Sequence, residues 1–237
     1  MTITIHQPEY LPWIGFFDRI YKSDLFVILD DVQYQKNAFI NRNKIKTAQG
    51  WQWITIPIKE RESLRNINEM LIDNRTDWAK KHWKALISNY NKAPFFKEYA
   101  SFLRDALKKK WESISELDSF LMKEIMDILG LKAKIEKSSS LNIPGQATER
   151  LVNICKKLDA DTYLSGPGFT GSGEKHHMDL EKFQEAGIKV IFQEFEHPSY
   201  PQQFEEQGFL PYMSIVDLLF NCGEKSLEFI KSGSSTT

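Results

Sequence analysis

The chain has 237 residues, 41% hydrophobic and 27% charged, with 31 Lys and Arg against 32 Asp and Glu for a net charge of −1. This length and composition suit one large or two small α/β domains and exclude a disordered chain. No surplus of cations is present to neutralise a phosphate backbone, so no nucleic-acid surface is expected. The two cysteines, Cys155 and Cys222, are too few for a disulfide framework or a zinc site and read as small buried hydrophobes. No stretch reaches the roughly 18 apolar residues of a membrane span. The N-terminus lacks the basic and apolar runs of a secretion signal, and a cytoplasmic location is expected.

Thr2–Ile5 reads as a strand that breaks on His6-Gln7. A loop with Pro8, Tyr10, Pro12 and Trp13 leads into a helix over Ile14–Tyr21. The fully apolar run Leu25–Leu29 stops at Asp30-Asp31, as a strand covered on both faces does. Val32–Gln49 reads as a polar link and Trp51–Ile58 as a further strand. Helical periodicity then takes over in Trp78–Tyr90, Phe95–Trp111 and Ser115–Leu129, with Gly130 as the last stop.

Alternation returns with a strand at Ala133–Lys137, a helix at Ala147–Leu158 and a strand at Thr162–Leu164 that ends on Ser165-Gly166. A helix at Leu180–Ala186, a strand at Ile188–Phe192 and a last helix at Ser214–Asn221 complete the pattern. The expected architecture is α/β: a mostly parallel open sheet flanked by helices, with an all-helical insert. A single domain is expected over residues 1–232, with the insert or subdomain at about 77–130 and a flexible tail at 233–237.

In an open parallel sheet, ligands bind outside the carboxyl ends of the strands. The groups emerging there are His6-Gln7, Asp30-Asp31, Ser165-Gly166 and Gln193-Glu194. An imidazole beside carboxylates suits general acid–base work. In the basic link, Arg42 between Asn41 and Asn43 can fork onto a carboxylate or phosphate. The glycine-rich stretch Ser165–Gly173 precedes a helix but does not end in the Gly-Lys-Ser/Thr of a P-loop. His176-His177 and His197 lack metal-ligand spacing, and no metal is expected.

Three blocks near the N-terminus are distinctive: His6-Gln7-Pro8-x-Tyr10-Leu11-Pro12-Trp13-x-Gly15, Asp30-Asp31-Val32-Gln33-Tyr34 and Asn41-Arg42-Asn43-x-Ile45. Further along come Ser138-Ser139, Glu149-Arg150-Leu151, Tyr163-Leu164-Ser165-Gly166, Tyr200-x-Gln202 and Ser214-Ile215-Val216-Asp217-Leu218-Leu219-Phe220-Asn221-x-Gly223. Together they resemble the WbqC-like family of bacterial proteins. The resemblance implies a link to gene clusters for surface polysaccharide, O-antigen above all. It also implies glycine transfer to an amino sugar carried on a nucleotide diphosphate. An amide does not form from a free carboxylate and amine in water, so the glycyl group must arrive activated.

On that reading His6 is the general base and Asp30 or Asp31 orients the amine or the histidine. Arg42, Asn41 and Asn43 grip the diphosphate or the donor. Gln7, Tyr10, Trp13, Ser165, Gly166 and Glu194 bind substrate. The expected partners are a nucleotide-linked sugar and an activated acyl donor, and the sequence requires no cofactor while admitting ATP. Two alternatives stand beside it. One is a non-catalytic protein that holds a nucleotide sugar or a partner. The other is a nucleotidylyltransferase-like adenylating enzyme, whose His-x-Gly-His signature the Tyr10–Phe17 loop does not complete because Phe16 follows Gly15.

Overall fold

The computed structural model describes residues 1–59, 65–167 and 178–234. In chain order, strand β1 (Thr2–His6) is followed by helix α1 (Ile14–Tyr21), strand β2 (Leu25–Ile28) and a hairpin of β3 (Arg42–Thr47) and β4 (Gly50–Thr55). Helices α2 (Trp78–Tyr90), α3 (Phe96–Lys108) and α4 (Ile114–Leu129) come next. The chain continues through β5 (Lys134–Lys137), α5 (Ser138–Leu141), α6 (Ala147–Lys157), β6 (Thr162–Ser165), α7 (Leu180–Glu185) and β7 (Lys189–Phe192). Helices α8 (Ile215–Cys222) and α9 (Ser226–Ser232) close it.

Five strands form one sheet in the order β5-β2-β1-β6-β7, and every neighbouring pair is parallel. The chain winds outward from β1 through β2 to β5, then returns to lay β6 and β7 on the other side of β1. The direction of winding therefore reverses between β1 and β6, which is the topological switch point of a doubly wound sheet. The β1–β2 ladder runs from Ile3↔Leu25 to His6↔Ile28. The β1–β6 ladder holds Thr2↔Thr162 and Ile3↔Tyr163, and beyond it the Thr4 hydroxyl donates to Leu164 O at 2.8 Å.

Strand alternation sorts the core into two layers. Ile3, Ile5, Leu25 and Val27 pack with Val152, Ile154 and Cys155 of α6 and Phe183 of α7. Phe26 and Ile28 face the other way, onto Phe16, Phe17 and Ile20 of α1 and into a larger cluster with α2, α3, α4, α8 and the hairpin. The amphipathic helices expected between residues 77 and 130 are thus α2 to α4, inserted between β4 and β5 on one side of the sheet. Gly130 ends α4 in the left-handed conformation at φ 66°, as a glycine can.

Three segments differ from the sequence reading. The polar link contains β3, whose partner β4 starts at Gly50 and stops at Thr55. Arg42 and Lys44 stack on the aromatic rings of Trp53 and Trp51, while Asn43 and Ile45 point inward. That outer cationic row hides the strand's alternation. Helix α9 follows α8 directly, after a short 3₁₀ turn at Gly223–Lys225. Residues 233–234 of the expected tail are tied down: Ser234 N donates to Lys231 O at 3.0 Å and the Ser234 hydroxyl to Asp18. The rest of the tail, Gly168–Gly173 of the glycine-rich stretch and His176-His177 lie outside the described residues.

Candidate active site

The switch point places the end of β1 beside the end of β6, and so brings His6 and Gln7 next to Ser165 and Gly166. Ser165 and Gly166 are buried, and His6 and Gln7 are half-buried. His6 Nδ1 lies 2.9 Å from Gln7 O. A carbonyl only accepts, so Nδ1 carries a proton. The imidazole edge meets Phe16 at 5.3 Å, which fixes the ring against α1. Glu9 Oε1 lies 3.9 Å from Nδ1.

Asp30 and Asp31 follow β2, one strand away. Asp30 is 1% exposed and accepts from Ser139 N at 3.1 Å, the Ser139 hydroxyl at 3.0 Å and the Ser115 hydroxyl at 3.4 Å. It ties the starts of α4 and α5 to the end of β2. Asp31 accepts from the Ser138 hydroxyl and pairs with Arg150 of α6. The fold thereby assembles three separate motif blocks, Asp30-Asp31, Ser138-Ser139 and Arg150. Both carboxylates are engaged as fixed acceptors at the rim.

Next to His6 stand ionisable groups that the sequence reading passed over. Glu9 lies within electrostatic reach of Arg19 of α1 on one hand and of Asp118 of α4 on the other. Arg19 is 5% exposed and Asp118 1%. Glu9 Oε2, both Asp118 carboxyl oxygens, and Arg19 Nε and Nη1 are buried without a hydrogen-bond partner. Burial lifts the Glu9 carboxyl to about 7 against the pull of Arg19. Burial, reinforced by the charge of Glu9, holds Asp118 well above the usual carboxylate range. Acids perturbed and grouped in this way are candidates for a functional site. The sequence did carry a signal: Asp118 sits among Ile114, Leu117, Leu121 and Ile125 on the apolar face of α4, where an acid is out of place.

The remaining predicted residues hold the β1–α1 loop and its surroundings. Asn43 Nδ2 donates to Tyr10 O at 3.1 Å and Leu11 O at 2.7 Å, and Tyr10 N donates to Phe39 O at 3.0 Å. The buried Tyr10 hydroxyl bonds His82 Nδ1 at 3.0 Å. His82 Nε2 donates to Thr55 O at 3.1 Å, so Nδ1 is the acceptor. Burial keeps that imidazole neutral, with its pKa lowered to about 4. Asn41 accepts from Tyr34 and donates to Ile56 O. Arg42 stacks on Trp53 at 4.2 Å and donates to Asn37 O, on the hairpin's outer side. Trp13 packs among Phe195, His197 and Tyr212. Glu194 is exposed, while its neighbour Gln193 is buried and donates to Gly15 O at 2.7 Å and Asp18 at 2.6 Å. Cys155 and Cys222 are buried, and burial pushes both thiols up to about 12.

Fold and rim together define a doubly wound α/β protein with an imidazole and buried acids at its switch point. The chain belongs to the WbqC-like protein family, whose model matches residues 7–229. It is also 38% identical over 232 residues to the uncharacterized protein Rv1507c of Mycobacterium tuberculosis, a match covering 97% of each chain. No solved structure matches. Among the described residues, no helix is long and apolar enough to cross a membrane.

Proposed function

We propose that this protein transfers an activated glycyl, or related acyl, group to the amine of a nucleotide-linked amino sugar in bacterial surface-polysaccharide assembly. The WbqC-like resemblance supplies the substrate class. The observation that carries the chemistry is His6 at the end of β1: its Nδ1 proton is held by Gln7 O, so Nε2 is the nitrogen assigned as the base. Attack of the amine on the acyl carbon makes the nitrogen acidic. His6 Nε2 takes that proton and returns it to the leaving group as the tetrahedral intermediate collapses. Ser165 and Gly166 form the opposite wall, and Asp30 with Asp31 and Arg150 keeps the rim rigid.

The test is turnover with a nucleotide-linked amino sugar and activated glycyl donors, read by mass spectrometry as the gain of one glycyl group. His6→Asn keeps a donor for Gln7 O and removes the base, so turnover is expected to fall about 10²–10⁴-fold with nucleotide-sugar affinity retained. Unchanged turnover in both His6→Asn and His6→Ala refutes the assignment. A second reading, adenylation, draws on the sheet order, because nucleotides bind at such switch points. Its signature is pyrophosphate released from ATP with no amine present.

A further inference from the structure

We infer that Glu9 and Asp118 form a subsite for a primary ammonium group beside His6. The argument starts from unmet bonding. Buried polar atoms are nearly always hydrogen-bonded, and each exception calls for an explanation. Three acceptor oxygens are orphaned together here: Glu9 Oε2, Asp118 Oδ1 and Asp118 Oδ2. A primary ammonium carries three N–H donors and no acceptor, so its inventory matches theirs. Sign agrees with count. An ammonium beside the two acids also offsets the burial that disfavours their charged forms, which a neutral water or hydroxyl does not. Arg19 Nε and Nη1, also without partners, supply donors for oxygen atoms around that amine.

The position suits delivery to His6. Glu9 lies three residues after His6, with Oε1 3.9 Å from the ring. Asp118 is one helical turn from Ser115, which bonds Asp30 just past the end of β2. Glu9 and His6 keep 14% and 21% of their side-chain surface exposed, so the subsite's outer member reaches solvent.

The identity of the group as the acceptor amine rests on the transferase reading. An amino sugar's ammonium must lose two protons to become an amide. In the balance R–NH₃⁺ + R′CO–X → R–NH–COR′ + HX + H⁺, the N–C bond forms and the C–X bond breaks. One proton passes through His6 Nε2 to X, and the other goes to Glu9. With its carboxyl near 7, Glu9 takes a proton from an ammonium readily and gives it back to water.

The experiment separates the subsite from the transferase reading. Thermal stability of the full chain is measured with methylammonium chloride, sodium chloride and acetamide at equal concentration. Selective stabilisation by methylammonium is expected, because a ligand of the folded state raises its apparent stability. Glu9→Gln and Asp118→Asn, near-isosteric at groups that burial already holds toward the neutral form, are expected to lower methylammonium affinity roughly tenfold to a hundredfold each. No selectivity in the wild type overturns the subsite without any variant having to fold, and selectivity that survives in both variants overturns it as well. Selective binding without glycyl transfer leaves the subsite standing and removes the transferase reading. Transfer whose KM for the amine is unmoved in both variants does the reverse.

Discussion

Replacing Tyr90 by Phe probes a buried network in which pH sets the size of the effect. Asp217 of α8 is 0% exposed and accepts from the Tyr90 hydroxyl at 2.8 Å, the Tyr200 hydroxyl at 3.0 Å and Gln202 Nε2 at 2.7 Å. Burial raises its carboxyl from 3.8 to about 6, while those three donors and Lys46 pull it back. Between those values the folded chain holds a proton that the unfolded chain has released. Stability therefore falls as pH rises through the window, by about 3 kcal/mol for a shift of about 2 pH units. The Tyr90 hydroxyl limits that loss. It also accepts from Lys46 N at 2.9 Å, so Tyr90→Phe leaves that amide unpaired as well.

Above the window the bond to an ionised carboxylate is worth about 1.5–3 kcal/mol, and the orphaned amide, at about 1–3 kcal/mol, brings the expected loss to about 2.5–6 kcal/mol. Below it the same bond meets a neutral carboxyl worth about 0.5–1.5 kcal/mol, so the penalty shrinks by roughly 1 kcal/mol. Urea unfolding of wild type and variant near pH 4 and near pH 8 measures both values, with the slope m as the check on comparable unfolded states. A penalty that is equal at the two pH values, or larger in acid, refutes the reasoning.

Two other substitutions test how the β1–α1 loop is held. Asn43→Ala removes the donors to Tyr10 O and Leu11 O, both in buried residues, and a loss of about 2–3 kcal/mol in urea unfolding is expected. A loss under about 0.5 kcal/mol means the hairpin does not brace the loop. Gly15→Ala places a Cβ 2.1 to 2.5 Å from three atoms of the Trp13 ring. The indole must then leave its place against Phe195, His197 and Tyr212, costing about 1–3 kcal/mol and changing the near-ultraviolet circular dichroism. An unchanged spectrum at unchanged stability contradicts that packing.

Most elements were legible because their signals are local. A fully apolar four-residue run, a helical stripe ended by glycine and a strand breaking on polar residues each announce themselves within a dozen positions. The strand-end argument likewise put His6, Gln7, Ser165 and Gly166 on one rim. Strand β3 escaped because Arg42 and Lys44, stacked on aromatic rings, read as solvated charge, and because Ala48-Gln49 is not a turn pair that signals a hairpin. Asn41 and Asn43 looked like ligand-reading amides, and the fold gives both to backbone carbonyls of neighbouring segments. An amide side chain carries the same pattern for either task, and only its neighbours choose between them.

By itself, then, the sequence determined the alternation of strands and helices, the insert of three helices and the polar endings of the strands, since each depends on residues close in the chain. Tertiary structure alone decided which strands are neighbours, and hence that β6, some 160 residues after β1, lies beside it at the switch point. It also decided that Glu9, from a loop, is buried near Arg19 and Asp118, from two helices. The perturbed acidity of Glu9 and Asp118 comes from desolvation and from neighbouring charge, and neither quantity exists until the chain has folded around them.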